Sequence, residues 1–352
     1  MNPNIKFSVN HHEHQGDRPY MEDRLAINYE RGEDDLILSA YFAVFDGHGG
    51  YEAAEYTKNH ILEFITSQKD FYSLNDTLIM KAIKKSFERL HSAMYNERNK
   101  SWPKLRSGHP SAAGTTATIV FVKNGKLYVA HVGDSTLVLG FQEPNEDQDP
   151  PSKSKNQSVV KWKAERLTQD HNLKHPSELK RIEASGGSIT IRKGIPRVVW
   201  KRPRYPIDYE GGTLTRSTPV DSIPILNLAR SLGDFWSFNP VTWKYVVSPV
   251  PDIQVVVLDP DVHRCIILAS DGLWNAVSPR KAVEVVYSTV VTKKDGKSPA
   301  QKESQGSTST FINSKENDNP AVNLIDLALQ RYRRKKVPAD NISVISVVFE
   351  YD

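Results

Sequence analysis

An aspartate that ends a buried strand and is followed by glycine is a ready ligand for a hard cation, and this chain offers two such places. Asp46-Gly47-His48-Gly49-Gly50 follows the apolar run Tyr41-Phe42-Ala43-Val44-Phe45, and Ser270-Asp271-Gly272 follows Cys265-Ile266-Ile267-Leu268-Ala269. Each carboxylate supplies hard oxygen donors, and the bare glycine lets a backbone carbonyl approach as a further one. More acids stand at Glu22-Asp23 and at Asp340, ahead of the alternating run from Ile342 to Phe349. Ligands scattered from position 22 to position 340 suit a site assembled by a fold. A calcium loop would crowd them into about a dozen residues. Two cations about 3.5–4 Å apart can acidify a shared water and stabilise both oxygens of an in-line displacement at phosphorus.

Groups suited to a phosphate accompany these acids. A planar guanidinium at Arg18 can hold two phosphoryl oxygens at once, which lysine cannot do with the same geometry. His48 adjoins Gly47, within reach of a departing alkoxide that needs a proton. Other conspicuous residues read more plainly. His11, His12 and His14 are expected to be a solvated strand flank. Gly186-Gly187 and Gly211-Gly212 open no helix in a phosphate-binding pattern and read as turns. Trp236, Trp243 and Trp274 read as core or subdomain packing. Cys265 lies inside an apolar run as a small buried hydrophobe, and the chain has no Cys-x5-Arg signature of a cysteine phosphatase.

The ordered set carries more than any one dipeptide. Arg18-Pro19-Tyr20-Met21-Glu22-Asp23, Asp46 to Gly50, Gly114-Thr115-Thr116-Ala117, His131-Val132-Gly133-Asp134-Ser135, Leu167 to His171, Ala229 to Asp234, Ser270 to Trp274 and Ala339-Asp340-Asn341 resemble a known motif series. It is that of the metal-dependent (PPM, type-2C) serine/threonine protein phosphatases. Within that family, Pro196 to Arg204 and Leu232 to Ser237 are similar to the delta (Wip-type) member of DNA-damage signalling. The resemblance implies an α+β fold, an αββα sandwich of two antiparallel sheets flanked by helices, with a dinuclear site at the sheet rim. It implies that Asp46 bridges two Mg2+ or Mn2+ ions, that Gly47 lends its carbonyl, and that Asp271 and Asp340 complete the set. Glu22 and Asp23 would hold metal-bound waters, Arg18 would bind phosphate, and His48 would be the general acid. Asp134 would hold a third, weaker metal. The family often has another aspartate where this chain has Asn275, which removes a charge from that third position.

Around these residues the pattern alternates strands with paired helices. Strands are expected at Ile5 to Val9, Tyr41 to Phe45, Ala117 to Val122, Lys126 to Val132 and Ser135 to Leu139, the segment Lys126 to Leu139 forming a hairpin near Gly133-Asp134. Helical spacing marks Tyr51 to Phe64, Leu78 to Tyr95 and Ala321 to Lys336, the second through Leu78, Ala82, Phe87, Leu90 and Met94. Ile182 to Ile191 reads as a helix end, a Gly-Gly turn and a strand. One catalytic domain over 1–352 is expected, with flexible loops at 143–158 and 292–319 that are too polar to order themselves. The insertion from Arg192 to Pro219 is basic and aromatic, and Arg197, Lys201, Arg202 and Arg204 are its candidate substrate contacts. A nuclear-import signal or solvated linker, and a nucleic-acid patch, are the competing readings of that loop.

With 38% hydrophobic residues and one cysteine in 352, the chain can build a large core and has no disulfide framework. Lys and Arg exceed Asp and Glu by 46 − 42 = 4, too mild an excess to demand nucleic acid. No apolar run reaches the roughly 20 residues of a membrane helix, and no apolar signal region opens the chain. The expectation is a soluble monomer, nuclear or cytoplasmic, acting on phosphoproteins in stress or DNA-damage signalling, with no nucleic acid or membrane partner. A phosphoprotein-binding pseudophosphatase and a metal-dependent phosphodiesterase are the alternatives. The full set of charged ligands argues against the first, and the want of a broad basic channel with stacking aromatics argues against a nuclease.

Overall fold

The computed structural model describes residues 5–33, 37–104, 111–142, 162–203, 220–294 and 318–351. They sort into two compact units, the first made of Met1–Tyr20, Leu137–Leu167 and Leu258–Asp352, the second of Met21–Thr136 and Thr168–Val257. Both mix helices with antiparallel strand pairs, so the class is α+β, as expected.

In the first unit one sheet runs in the order Ile5–His14, Ile342–Tyr351, His263–Ala269, Thr136–Gln142, Trp162–Arg166. The chain ends meet in its first pair, Ile5 opposite Tyr351 and His14 opposite Ile342. The outer end of this strand leaves His11, His12 and His14 exposed, the solvated flank that the sequence suggested. Helices Pro279–Lys294 and Pro320–Lys335 belong to the same unit. The second begins at an Asn319 cap whose Oδ1 accepts the Ala321 N–H at 2.9 Å, with Pro320 in the first turn. Its buried residues Ala321, Leu324, Ile325, Ala328 and Tyr332 recur at helical spacing and pack in one cluster with Ile267, Ala269, Ile342 and Val344 of the sheet. Arg333, Arg334 and Lys335 occupy its last turn, where the helix dipole favours cations. Cys265 is buried in this cluster, and burial pushes its thiol up to about 12. That leaves it a packing residue.

The second unit holds a sheet ordered Asp252–Val257, Lys126–Val132, Ala117–Lys123, Ile37–Phe45, Arg24–Arg31. Tyr41, Ala43 and Phe45 alternate onto one face and join Ile61, Ile65, Ile83, Phe87, Leu90 and Met94 of helices Glu52–Thr66 and Asp76–Ser101. Phe42 and Val44, on the opposite face, are buried too, which is why this strand reads as an unbroken apolar run. On the second helix the inward residue is Ile79, and Leu78 is exposed. The structure corrects a second expectation. Lys126–Val132 and Thr136–Gln142 belong to different sheets and form no hairpin. Lys126–Val132 instead pairs back onto Ala117–Lys123 through Asn124-Gly125, both at positive φ, the two-residue turn that right-twisted strands prefer.

Besides the two-stranded pair Phe238–Asn239 and Lys244–Tyr245, two three-stranded sheets complete this unit. One orders Ser188–Arg192, Ile195–Pro203 and Val220–Leu226, beside helix Pro176–Ala184. The basic insertion is therefore not a loop where it is described, because Ile195–Pro203 is a strand paired on both edges. The other orders Leu232–Gly233, Gly114–Thr115 and Gly47–His48. Trp236 is buried and Trp274 packs against the first unit's core, whereas Trp243 is 79% exposed and is no core residue. The loop expected at 292–319 instead begins within helix Pro279–Lys294, and its remainder from 295 to 317, with 143–158 and Arg204 to Pro219, lies outside the described residues.

Candidate active site

In the second unit the local problem is to hold Asp46 at a strand end. The backbone solves it. Asp46 N–H donates to Thr116 Oγ1 at 3.1 Å, and Asp46 O accepts the Thr116 N–H at 2.9 Å and the Thr115 hydroxyl at 3.2 Å. This gives the Gly114-Thr115-Thr116 motif its purpose as a clamp. Gly47 follows with no room for a side chain, since a Cβ there would stand 2.4 Å from Glu22 O. Glu22 Oε1 accepts the Gly50 N–H at 2.6 Å and so ties the Asp46-to-Gly50 turn to the segment carrying Asp23, which is itself buried. Gly133, at φ 105 and against Thr116, precedes Asp134.

His48 has a partner that the motif reading did not supply. Its Nε2 lies 2.8 Å from Oδ2 of Asp234, a carboxylate only 1% exposed, while the ring is 24% exposed. Burial works against charging this ring. The Asp234 carboxylate and its hydrogen bond, with the charges of Asp134 and Glu22, outweigh burial and hold the ring above the ordinary histidine range. Those same interactions place Glu22, His48 and Asp134 in one electrostatic neighbourhood of the second unit.

The first unit gathers Arg18, Asp271 and Asp340. Asp271 opens the short helix Asp271–Trp274, and Gly272 packs so closely that a Cβ would stand 2.1 Å from Asn341 O. Asp340 Oδ1 accepts the Asn341 N–H, and Asn341 Nδ2 donates to Gln15 O at 2.7 Å and to Tyr20 O at 3.0 Å. Ala339 N–H donates to Asp17 Oδ2 at 2.8 Å, which completes the stitching of segment 15–20 to segment 339–341. Arg18 Nη2 then reaches Asp340 Oδ2 at 2.5 Å. The buried Tyr332 hydroxyl donates to Gly272 O, and its phenol is pushed up to about 12, by burial first and then by the Asp271 and Asp340 charges. Asn275 Nδ2 donates to Asp271 Oδ2 at 3.1 Å, so this amide helps orient that carboxylate.

The donors in both clusters are carboxylates and a backbone carbonyl, the hard oxygens that suit Mg2+ or Mn2+. Asp340 already takes a cationic partner, the Arg18 guanidinium. Among the described residues, no three His, Cys, Asp or Glu side chains converge closely enough to hold a metal by themselves. Of the basic residues expected to touch substrate, Arg197 lies on Ile195–Pro203 opposite Thr190, and the same strand sets Lys201 opposite Ser222 and Arg202 opposite Asp221. Arg204 lies outside the described residues. Sequence reasoning missed Thr115, Thr116 and Asp234 as working parts, although each sits inside a motif that it singled out.

A sequence profile described as protein phosphatase 2C matches residues 7–319. Probable protein phosphatase 2C 11 of Arabidopsis thaliana is 33% identical over 282 residues, which cover 80% of this chain and 58% of that protein. Protein phosphatase 1L of Bos taurus is 30% identical over 275 residues, 77% of this chain and 61% of that protein. The chain thus spans about three fifths of the length of such curated relatives, from 58% to 64% for the first three. Among solved structures, serine-threonine phosphatase 2C from Toxoplasma gondii superposes with a TM-score of 0.68 at 22% identity, covering 99% of this chain and 96% of that one. That likeness is one of fold. Among the described residues no helix is long and apolar enough to cross a membrane.

Proposed function

Since the chain belongs to the protein phosphatase 2C family, we propose that it hydrolyses phosphoserine and phosphothreonine in proteins with the help of two divalent cations. The observation that supports this best is the construction of the two clusters. Residues scattered from 18 to 340 are brought into two groups whose backbone is held by hydrogen bonds and which concentrate carboxylates. Asp46, Gly47, Asp271 and Asp340 would be the donors for Mg2+ or Mn2+, with Asp134 for a weaker third ion. When bound, the cations supply an acidified water and charge stabilisation at phosphorus. Glu22 and Asp23 hold the turn and the ordered waters around it. Arg18 orients the phosphate through its guanidinium fork. The water oxygen bonds to phosphorus as the ester P–O bond breaks. The electron pair of that bond stays on the serine or threonine oxygen, which takes a proton from His48, and the water's own proton leaves to solvent.

Further readings belong to the same proposal. The chain acts as one catalytic domain and as a monomer, on phosphoproteins of stress or DNA-damage signalling, in the nucleus or cytoplasm, as the delta-type resemblance suggests. The basic strand, with Arg197, Lys201 and Arg202, and Arg204 beyond it, selects substrates with a second negative charge near the target.

Turnover of phosphothreonine peptides should require Mg2+ or Mn2+, and Asp46→Ala or Asp271→Ala should abolish it while the chain still unfolds cooperatively. Glu22→Gln should weaken metal binding measured by calorimetry by about 10–100-fold, the usual size of an outer-shell effect. Full activity in excess chelator, or in either alanine variant, would sink the two-cation reading. Phosphopeptide binding without turnover in the metal-loaded protein would instead favour a pseudophosphatase.

A further inference from the structure

Asp234 is one of five described non-glycine residues at positive φ, 48°, and it directly follows Gly233 at 81°. Left-handed backbone at a non-glycine residue is unfavourable, so what the conformation achieves there is informative. Gly114 pairs with His48 on one side and with Gly233 on the other. Asp234 therefore approaches His48 across a residue with no side chain. A Cβ at Gly114 would stand 2.3 Å from Asp234 Oδ2 and 2.4 Å from His48 Nε2, in the path of their hydrogen bond. The carboxylate is fixed from behind as well. Oδ2 also accepts from the Ser231 hydroxyl at 2.5 Å, and Oδ1 accepts from Trp236 Nε1–H at 2.6 Å. A strained turn, a bare glycine and two further donors thus converge on one interaction.

On the reading that His48 protonates the leaving group, we propose that Asp234 is its positioning residue. An ionised carboxylate only accepts, so it fixes the hydrogen on Nε2 and leaves Nδ1 as the nitrogen that meets the substrate oxygen. The proton that reaches the departing alkoxide comes from Nδ1, and the Nε2–H bond to Asp234 is kept throughout. Asp234 itself touches no substrate. Ring orientation and tautomer are then set before substrate arrives, the arrangement that a general acid requires.

Three measurements test this. In the folded full chain, with the ring neutral at high pH, nitrogen chemical shifts should give His48 as the Nε2–H form, and an Nδ1–H form would overturn the assignment. Asp234→Asn should slow turnover of a phosphothreonine peptide about 10–100-fold more than that of an activated aryl phosphate, which needs little protonation. Combined with His48→Gln, it should add nothing further, because both act through one ring. Equal loss on both substrates, or additive losses, would show Asp234 to be merely structural. Gly114→Ala, which wedges the pair apart while keeping both groups, should reproduce the leaving-group pattern. If Asp234→Asn does not fold, the nitrogen shifts decide. Should His48→Gln itself show no leaving-group dependence, the general-acid reading falls. Should His48→Gln show it and Asp234→Asn not, only the role of Asp234 falls.

Discussion

Two histidine–aspartate pairs lie in the second unit, nearly equal in length and opposite in burial. His48 Nε2 stands 2.8 Å from Asp234, with the carboxylate 1% exposed and the ring 24%. His171 Nε2 stands 2.9 Å from Asp252, with the ring 4% exposed and the carboxylate 61%. In the second pair both ring nitrogens are occupied, because Nδ1 accepts the Gly133 N–H at 3.1 Å. The ring stacks on His131 with centroids 4.8 Å apart. Asp252 also binds Arg230 at 2.7 Å, and the His171 hydrogen bond, with Arg230, holds its carboxyl well below the usual range. The same two residue types thus anchor a buried ring in one place and present a ring in the other. The difference lies in which partner the fold buries.

The largest expected effect follows from that contrast. His48→Gln should lower kcat on phosphothreonine peptides by about 10²–10⁴-fold, the usual contribution of general acid catalysis. His171→Gln should leave kcat of the folded enzyme unchanged and lower stability instead. Rates measured on protein shown to be folded by circular dichroism would check both. Comparable rate losses from the two substitutions would break the comparison.

Acid should separate the buried rings His131 and His91 from His48 by sign. Burial first, and then the neighbouring His171, lower His131 to about 3, against Asp252 and the Gln169 and Gly133 carbonyls that raise it. Burial likewise lowers His91 to about 3. Between about pH 6.5 and 3 the unfolded chain binds more protons at these two positions, so their contribution is full above that window and lost as pH falls through it. Each gives a slope of at most about 1.4 kcal/mol per pH unit. His48 behaves oppositely. Its folded value is raised, so its contribution is full below the unfolded value and is lost as pH rises through the folded one. Urea midpoints against pH should therefore steepen on the acid side, and His131→Gln should flatten that limb. An unchanged limb in the variant would remove His131 from the account. Thr118 Oγ1 lies 2.9 Å from His131 Nδ1 and donates to Ser135 O. Thr118→Val, which strips a buried nitrogen of its partner, should lose about 1–3 kcal/mol of stability at neutral pH with kcat intact.

The sequence made the strand-end acids legible because a buried strand and a following glycine leave a periodic and compositional mark. Tyr41 to Phe45 and the helix over Ala321 to Lys336 were found for the same reason. What it concealed was pairing at long separation. Val132 and Thr136 are four residues apart yet enter different sheets, and nothing in Gly133-Asp134 distinguishes a strand-to-strand passage from a hairpin turn. Trp243 looked like core because aromatic side chains usually are, but its backbone sits at φ 54 in a turn that leaves it exposed. The stretch from Arg192 to Arg204 lacks acids and resembled a loop, while Val198 and Val199 favour the strand. Asp234 lay within a recognised motif, and its partner 186 positions away emerges only from the three-strand pairing through Gly114.

The smallest effect tests the shell behind Asp234. Ser231→Ala removes one donor from Oδ2 and leaves the carboxylate with His48 on Oδ2 and Trp236 on Oδ1. A single hydrogen bond contributes about 0.5–1.5 kcal/mol net, so the phosphopeptide rate should fall by only about 2–10-fold. The loss should appear in kcat rather than KM, since Ser231 is buried and meets no substrate. An activated aryl phosphate should show none of it. If Ser231→Ala slows both substrates equally, the hydroxyl supports the fold around Leu232–Gly233 and not the carboxylate. If it slows neither, Trp236 and the strained backbone at Asp234 suffice to hold the ring, and the contrast with the buried His171 pair rests on those two alone.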